Sequence, residues 1–341
     1  NVAIGKNSMT LLTTGSDNVA VGNLSLDAIA DTESFNVAIG SGAMGSVDQG
    51  SHATANCDYN VAIGYVALLG GDFGSSNKNL NYNVAIGYRA LDGTTSYDAV
   101  NNVMIGGNAG GGNWTAASYR NVGIGTDVMD ASMADGNDNT GIGYKAVSSI
   151  TSGEYNVGIG SQSANDISTG DNNVCIGHTS GQYISTGGDH VLVGKAAGAT
   201  IANGQVLTNG TIAIGSYALT ALTSGAGNVA IGYQAGDAMT STAGTVLIGY
   251  QAGSAISSTD SVGTVAIGFE AGLVLTNGIE NSFIGYRAGK QNTIGDGNIA
   301  IGFKVMELTG NSADSDAGMQ NDNNIAIGAN AMSGNWITAA S

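Results

Sequence analysis

At 341 residues, with 42% hydrophobic and only 10% charged side chains, the chain is too apolar to stay disordered, so a packed core is expected. Nine basic against twenty-six acidic residues give a formal net charge of -17, which opposes the basic footprint that nucleic-acid binding demands. Fifty-six Gly with no third-position period exclude collagen, and the absence of Pro suits closely hydrogen-bonded rungs, since every residue keeps its backbone N–H.

The first five residues, Asn1-Val2-Ala3-Ile4-Gly5, recur with variations eighteen times, most often at a spacing of seventeen residues and at most twenty-six. Copies begin at Asn1, Asn18, Asn36, Asn60, Asn83, Asn102, Asn121, Asn139, Asn156, Asn173, His190, Thr211, Asn228, Thr245, Thr264, Asn281, Asn298 and Asn324. A period this short predicts one supersecondary unit per repeat, stacked on its neighbours into a continuous core. The fold expected is therefore all-β: a parallel β-solenoid, or β-roll, of about 18 short rungs. Residues 1–341 read as a single elongated repeat domain. Because the sequence starts in register with a repeat, a segment of a longer fibre is expected, with targeting signals elsewhere. No signal peptide opens it and no apolar run approaches the ~20 residues that span a bilayer, so no membrane insertion is expected in this segment.

Within each copy the second and fourth residues are branched aliphatics almost throughout, as in Val61 and Ile63, and strand alternation puts both on one face. The expectation is that this face is the interior. The invariant fifth Gly ends the strand at a corner that a side chain would block. Three residues further on a small residue stands in sixteen of eighteen copies, Val128 and Val305 excepted, which fits a narrow interior beside the turn. The rest of each repeat, such as Thr220 to Gly227, can supply a second short strand and a return turn. Asn at the first position in fourteen copies predicts amides hydrogen-bonded from rung to rung.

The third position should then point outward, yet it holds Ala ten times, Gly three times, and otherwise Met104, Cys175, Leu192, Leu247 or Phe283. An apolar outward row predicts cover by another layer or another copy of the chain. Ala3, Ala62, Ala85, Ala230, Ala266 and Ala300 are accordingly the expected interface positions of a parallel homotrimer. A dimer, or a lone solenoid with a covering loop, satisfies the same pattern.

Three stretches, 41–59, 65–82 and 303–323, carry residues beyond the seventeen a rung needs and are expected to project as loops available for contact. Tyr233, Tyr250, Phe269, Tyr286 and Phe303 follow the Gly in five successive copies, which predicts an aromatic ladder along one edge. Such a ladder serves either as a glycan platform or as packing at a corner or protomer interface. Asp135, Asp138, Asp314 and Asp316 offer hard oxygen ligands for Ca²⁺, but their spacing matches no calcium loop, and Asx-turn chemistry explains the same residues. No cofactor is expected. Cys57 and Cys175 fall in the third and tenth repeats, about 30 Å apart by rung spacing, too far for a disulfide. His52, His178 and His190 have no nucleophile beside them in sequence, and His190 occupies an Asn-ladder position, so enzymatic activity is not expected.

The units Asn83 to Leu91 (Asn-Val-Ala-Ile-Gly-Tyr-Arg-Ala-Leu) and Asn228 to Gly236 (Asn-Val-Ala-Ile-Gly-Tyr-Gln-Ala-Gly) resemble two related groups. One is the YadA-like head of trimeric autotransporter adhesins, and the other is the repeat region of phage tail fibres. The resemblance runs the whole chain and implies a left-handed parallel β-roll assembled as a homotrimer. Repeat spacings vary more than in the adhesin head, and no neck, coiled-coil stalk or membrane anchor is present. The expected function is thus a structural and attachment fibre, a phage tail-fibre shaft on the virion that contributes to adhesion through a host cell-surface glycan or protein receptor. The alternative is a trimeric adhesin or filament of the bacterial surface or extracellular space. A more distant one is a tailspike-type polysaccharide-processing enzyme, which needs paired carboxylates on one exposed face.

Overall fold

The computed structural model describes residues 1–28, 33–47, 56–70, 78–94, 97–201, 209–257, 261–309 and 322–334. By internal contacts the chain divides into two compact units, Asn1–Asn172 and Asn173–Ser341. Both are all-β parallel solenoids, and the described residues contain no helix. All eighteen copies of the pentapeptide form a strand of three residues.

In the first unit the strands are β1 (Val2–Ile4), β2 (Val19–Val21), β3 (Val37–Ile39), β4 (Val61–Ile63), β5 (Leu80–Asn81), β6 (Val84–Ile86), β7 (Ala99–Val100), β8 (Val103–Ile105), β9 (Ser118–Tyr119), β10 (Val122–Ile124), β11 (Thr140–Ile142) and β12 (Val157–Ile159). Each pentapeptide strand pairs in parallel with that of the next copy, equivalent residues opposite one another, as in Val61↔Val84, Ala62↔Ala85 and Ile63↔Ile86. The second unit has in-register parallel pairing of its own, through β13 (Val174–Ile176), β14 (Val191–Val193), β15 (Ile212–Ile214), β16 (Val229–Ile231), β17 (Val246–Ile248), β18 (Val265–Ile267), β19 (Ser282–Ile284), β20 (Ile299–Ile301) and β21 (Ile325–Ile327). A one-residue slip would exchange faces, so exact repetition of the pentapeptide fixes the register.

Among the described residues the expected second strand of the rung exists only as β5, β7 and β9, which form a separate three-stranded parallel sheet. After the Gly, the seventh and ninth residues of the repeat take left-handed φ, for example Arg89 (53°) and Leu91 (54°), and their N–H groups reach different rungs. Arg89 donates back to the Tyr65 carbonyl at 3.0 Å, and Leu91 donates forward to that of Ala109 at 2.8 Å. The turn is laced to both neighbours as firmly as the strand.

The structure reverses the expected faces. Ala62, Ala85, Ala230, Ala266 and Ala300 are fully buried inside the coil, whereas Val and Ile on either side of them face outward. Ala3 is exposed with the rest of β1. The first-position Asn side chains also lie inside, at 0% exposure from Asn36 through Asn156. Alternation then places the third residue on the same side as the first, and hydrophobicity of the second and fourth does not override it.

The interior is narrow, and its bulk is traded between the third and ninth residues. Where the third is Ala, the ninth is commonly large and buried, as in Ala38 with Met44, Ala62 with Leu68 and Ala213 with Leu219. Where the third is large, the ninth is Gly: a Cβ at Gly253 would stand 2.7 Å from Leu247 Cδ2, and one at Gly181 2.6 Å from Cys175 Sγ. Neighbouring rungs share the constraint, since a Cβ at Gly236 would meet Leu247 Cδ1 at 2.7 Å. Val128, one of two exceptions to the small eighth position, sits against Gly123 and Gly141, where a Cβ would approach its methyls at 3.2 and 2.8 Å. Packing at this density leaves no room for an unmatched methylene.

Candidate functional site

The most unusual surface is the outer face of the pentapeptide sheet. Its second and fourth residues are Val or Ile throughout, except Thr140 and Ser282 at the second position. They form two columns of half-buried to exposed aliphatics in each unit, with Ile142, Ile176, Ile214, Ile284 and Ile301 all 37% exposed. A contiguous apolar patch on a chain of net charge -17 marks an interaction surface rather than incidental exposure.

The Asn ladder holds this face flat from behind. From Asn1 to Asn139 each Asn Oδ1 accepts the backbone N–H of the next first-position residue, at 2.9 Å from Asn36 to Asn18 and 3.0 Å from Asn83 to Asn60. Each Asn Nδ2 in turn donates to a carbonyl of the following rung, Asn36 to Cys57 O at 2.7 Å and Asn139 to Gly153 O at 2.8 Å. Buried amides so satisfied fix the spacing of the rungs. In the second unit the bond is kept at the joint into Thr245 and at the joint out of His190. Thr245 donates its N–H to Asn228 Oδ1 at 3.1 Å, and the His190 Nδ1 accepts from the Thr211 N–H at 3.3 Å. That bond leaves the proton on Nε2, which is buried without a partner among the described residues. Burial, opposed in part by Asp189, pulls the His190 pKa down to about 4, so the side chain is neutral and structural.

Two flanks border the apolar columns. On the trailing flank, the residue after the Gly, Tyr233, Tyr250, Phe269, Tyr286 and Phe303 stack as the sequence predicts, with centroids 5.1 to 5.4 Å apart and planes within 16°. Tyr217 meets Tyr233 edge-on at 86°. Stacking at this spacing turns the ring faces toward one another, so a sugar ring, which stacks on a face, finds only edges along the ladder. Arg287 and Lys304 lie over Tyr286 and Phe303 at 5.1 and 5.7 Å. Behind them Glu270 accepts from Lys290 at 2.6 Å and Arg287 at 2.9 Å. Burial raises the Glu270 pKa, but the two cations outweigh it and hold the carboxyl below its usual range. On the leading flank, the residue before the Asn, Phe35, Tyr59 and Tyr82 stack at 4.8 and 5.0 Å, an aromatic row that sequence reading passed over. Its signal was available: an aromatic residue immediately before Asn in three consecutive copies.

The other candidates do not converge. Asp138 is gripped by Arg120 through two bonds of 2.7 and 2.8 Å, which lower its pKa, while Asp135 Oδ1 accepts from the Asn137 amide at 3.2 Å. Among the described residues no group of three His, Cys, Asp or Glu could hold a metal. Asp314, Asp316 and His52 lie outside the described residues, as does most of the extra length of the three insertions, residues 48–55, 71–77 and 310–321. Cys57 and Cys175 are buried thiols outside any disulfide, and burial pushes the Cys175 thiol up to about 12. No helix among the described residues is long and apolar enough to cross a membrane. No protein-family model matches the chain, and no curated protein or solved structure does either.

Proposed function

We propose that the chain is a structural element of an extracellular attachment fibre, a phage tail-fibre shaft, assembled as a parallel homotrimer through the outer Val and Ile columns. The observation that carries this reading is the apolar outer face. It is regular, free of charged residues at its second and fourth positions and backed by a hydrogen-bonded ladder, which suits permanent cover by an equally regular partner. A second copy has the matching rung repeat. The role once expected for the outward Ala row passes to Val and Ile, since the Ala side chains are consumed inside each coil. A host glycan or protein receptor is then contacted by projecting loops or by parts of the fibre beyond this segment, while the coils supply stiffness and reach.

Sedimentation equilibrium of the intact chain tests the assembly: three chain masses are expected, and a concentration-independent single mass overturns it. Immunogold labelling tests the setting. Antibodies to the chain should decorate tail fibres of virions from the source of the sequence. Decoration of bacterial envelopes instead transfers the reading to a surface adhesin, and decoration of neither overturns the attachment role.

A further inference from the structure

The outer face of the second unit has two unlike edges. Gly210, Gly227, Gly244, Gly263 and Gly297 stand on its leading flank; the last four of these rungs carry Tyr233, Tyr250, Phe269 and Phe303 on the trailing flank, while the Gly210 rung carries Ser216. Backbone geometry does not require these glycines. Their φ values of 62° to 74° match those of Asp189 (61°) and Glu280 (54°), which occupy the same position in other rungs. Nor does the coil itself crowd Gly227 or Gly244, since a Cβ on either would meet nothing within 4 Å. A side chain is therefore missing where this chain has both the room and the conformation for one. The left-handed φ favours Gly without demanding it, and four of the five rungs that have the notch carry an exposed ring on the opposite edge.

Charge follows the same division. The leading flank of this unit carries Asp189 and Glu280 and no base. The trailing flank carries His178 and Lys195 and no acid, with Asp189 and Lys195 in one rung. Strands run from leading to trailing flank, so rotation about an axis parallel to the stacking direction sets the trailing edge of one copy beside the leading edge of the next. Any rotation that reverses the stacking direction sets like edges together, acids against acids and rings against rings.

We propose that copies associate in parallel and in register, the aromatic trailing edge of each seated in the glycine notches of its neighbour, with Lys195 beside the neighbour's Asp189. The inference rests on the reading of the outer face as a self-association surface and adds the direction, register and edge pairing of the copies. A ring of three and a facing pair both satisfy it. Rings in notches supply shape complementarity at the rim, and the opposite charges disfavour the antiparallel arrangement.

The experiment uses the full chain with Asp189→Cys and Lys195→Cys, singly and together, both sites being exposed whereas the native thiols, including Cys175 in the adjacent rung, are buried. After mild oxidation, the double variant should run as covalent dimers and larger species on a denaturing non-reducing gel, and each single variant as one chain. Efficient cross-linking of either single variant, or none in the double variant while sedimentation still shows an assembly, overturns the edge pairing but leaves self-association standing. A monomeric unsubstituted chain refutes both. Gly244→Trp supplies an independent check, since Tyr59 and Tyr82 show that a ring is tolerated in the same backbone conformation. Filling the notch should weaken association at least tenfold with an unchanged circular dichroism spectrum, and unaltered association with that spectrum refutes the seat.

Discussion

The Gly that closes each pentapeptide is held by two separate demands. At Gly249 φ is +140°, a region side chains rarely enter, and a Cβ there would stand 2.3 Å from the Gly268 carbonyl oxygen of the next rung. Gly249→Ala should therefore cost about 3 kcal/mol or more, read as a lowered thermal midpoint, because neither backbone strain nor axial overlap can relax without parting two rungs. His190 gives a different signature. An ordinary His titrates near 6.5, whereas His190 in the folded chain resists protonation down to about 4. Above about pH 6.5 both states are neutral and the group has no effect. Between these values the unfolded chain binds a proton that the folded one refuses, so stability falls as pH drops, by about 3 kcal/mol at most. His190→Asn restores the usual ladder residue, and the difference in urea midpoint between variant and parent should widen from pH 7 to pH 4. A constant difference across that range overturns the assignment.

The exchange of bulk between strand and turn is the rule that organises each rung. Leu247→Ala opens a cavity between Gly236 and Gly253 and should cost about 2–5 kcal/mol. Adding Gly253→Leu recreates the combination already present as Ala213 with Leu219, where φ at the ninth residue is 50°. The double variant should recover a substantial part of the loss in a thermal or urea double-mutant cycle, and strict additivity would refute the pairing. This rule was also written in the sequence, and it shows what reading by hydrophobicity missed. The repeat, the strand, the Gly corner, the Asn ladder and the aromatic stack are all legible because each is a column of like residues. The direction of the strand is legible only from correlation between columns: the ninth residue is Gly wherever the third is large, which two residues on opposite sides of a sheet have no reason to obey. Branched aliphatics drew the inference inward because the bulkiest apolar pair was given the coil interior, and contact with another copy was left to the smaller Ala row. The weak second strand was misjudged for a related reason, since left-handed Leu, Met and Val in the turn give no local sequence signal as Gly would.

Across the molecule, the apolar columns and the acidity pull in opposite directions. Copies of net charge -17 repel, while burial of Val and Ile draws them together at roughly 25 cal/mol per Å². Salt shortens the Debye length from about 30 Å at 0.01 M to about 8 Å at 0.15 M, so added salt should strengthen association in sedimentation experiments. Ile248→Glu, on the outward side of β17, should abolish association while the coil keeps its circular dichroism spectrum, because the side chain leaves the interior untouched. The trade of bulk between the third and ninth residues has a consequence for length. A chain whose rungs all carried one size combination could lose or gain any repeat, and its reach would be a freely adjustable dimension. Here the joints are typed. Excising 36–59 brings the Ala20–Leu26 rung against the Ala62–Leu68 rung, two of the same kind, and the seam should close. Excising 245–263 sets Gly236 beside Ala266 and Gly272 with Leu247 gone, and the seam is hollow. Such a polymer can shorten or lengthen only between compatible ends, so its evolution by duplication proceeds in permitted words rather than single letters.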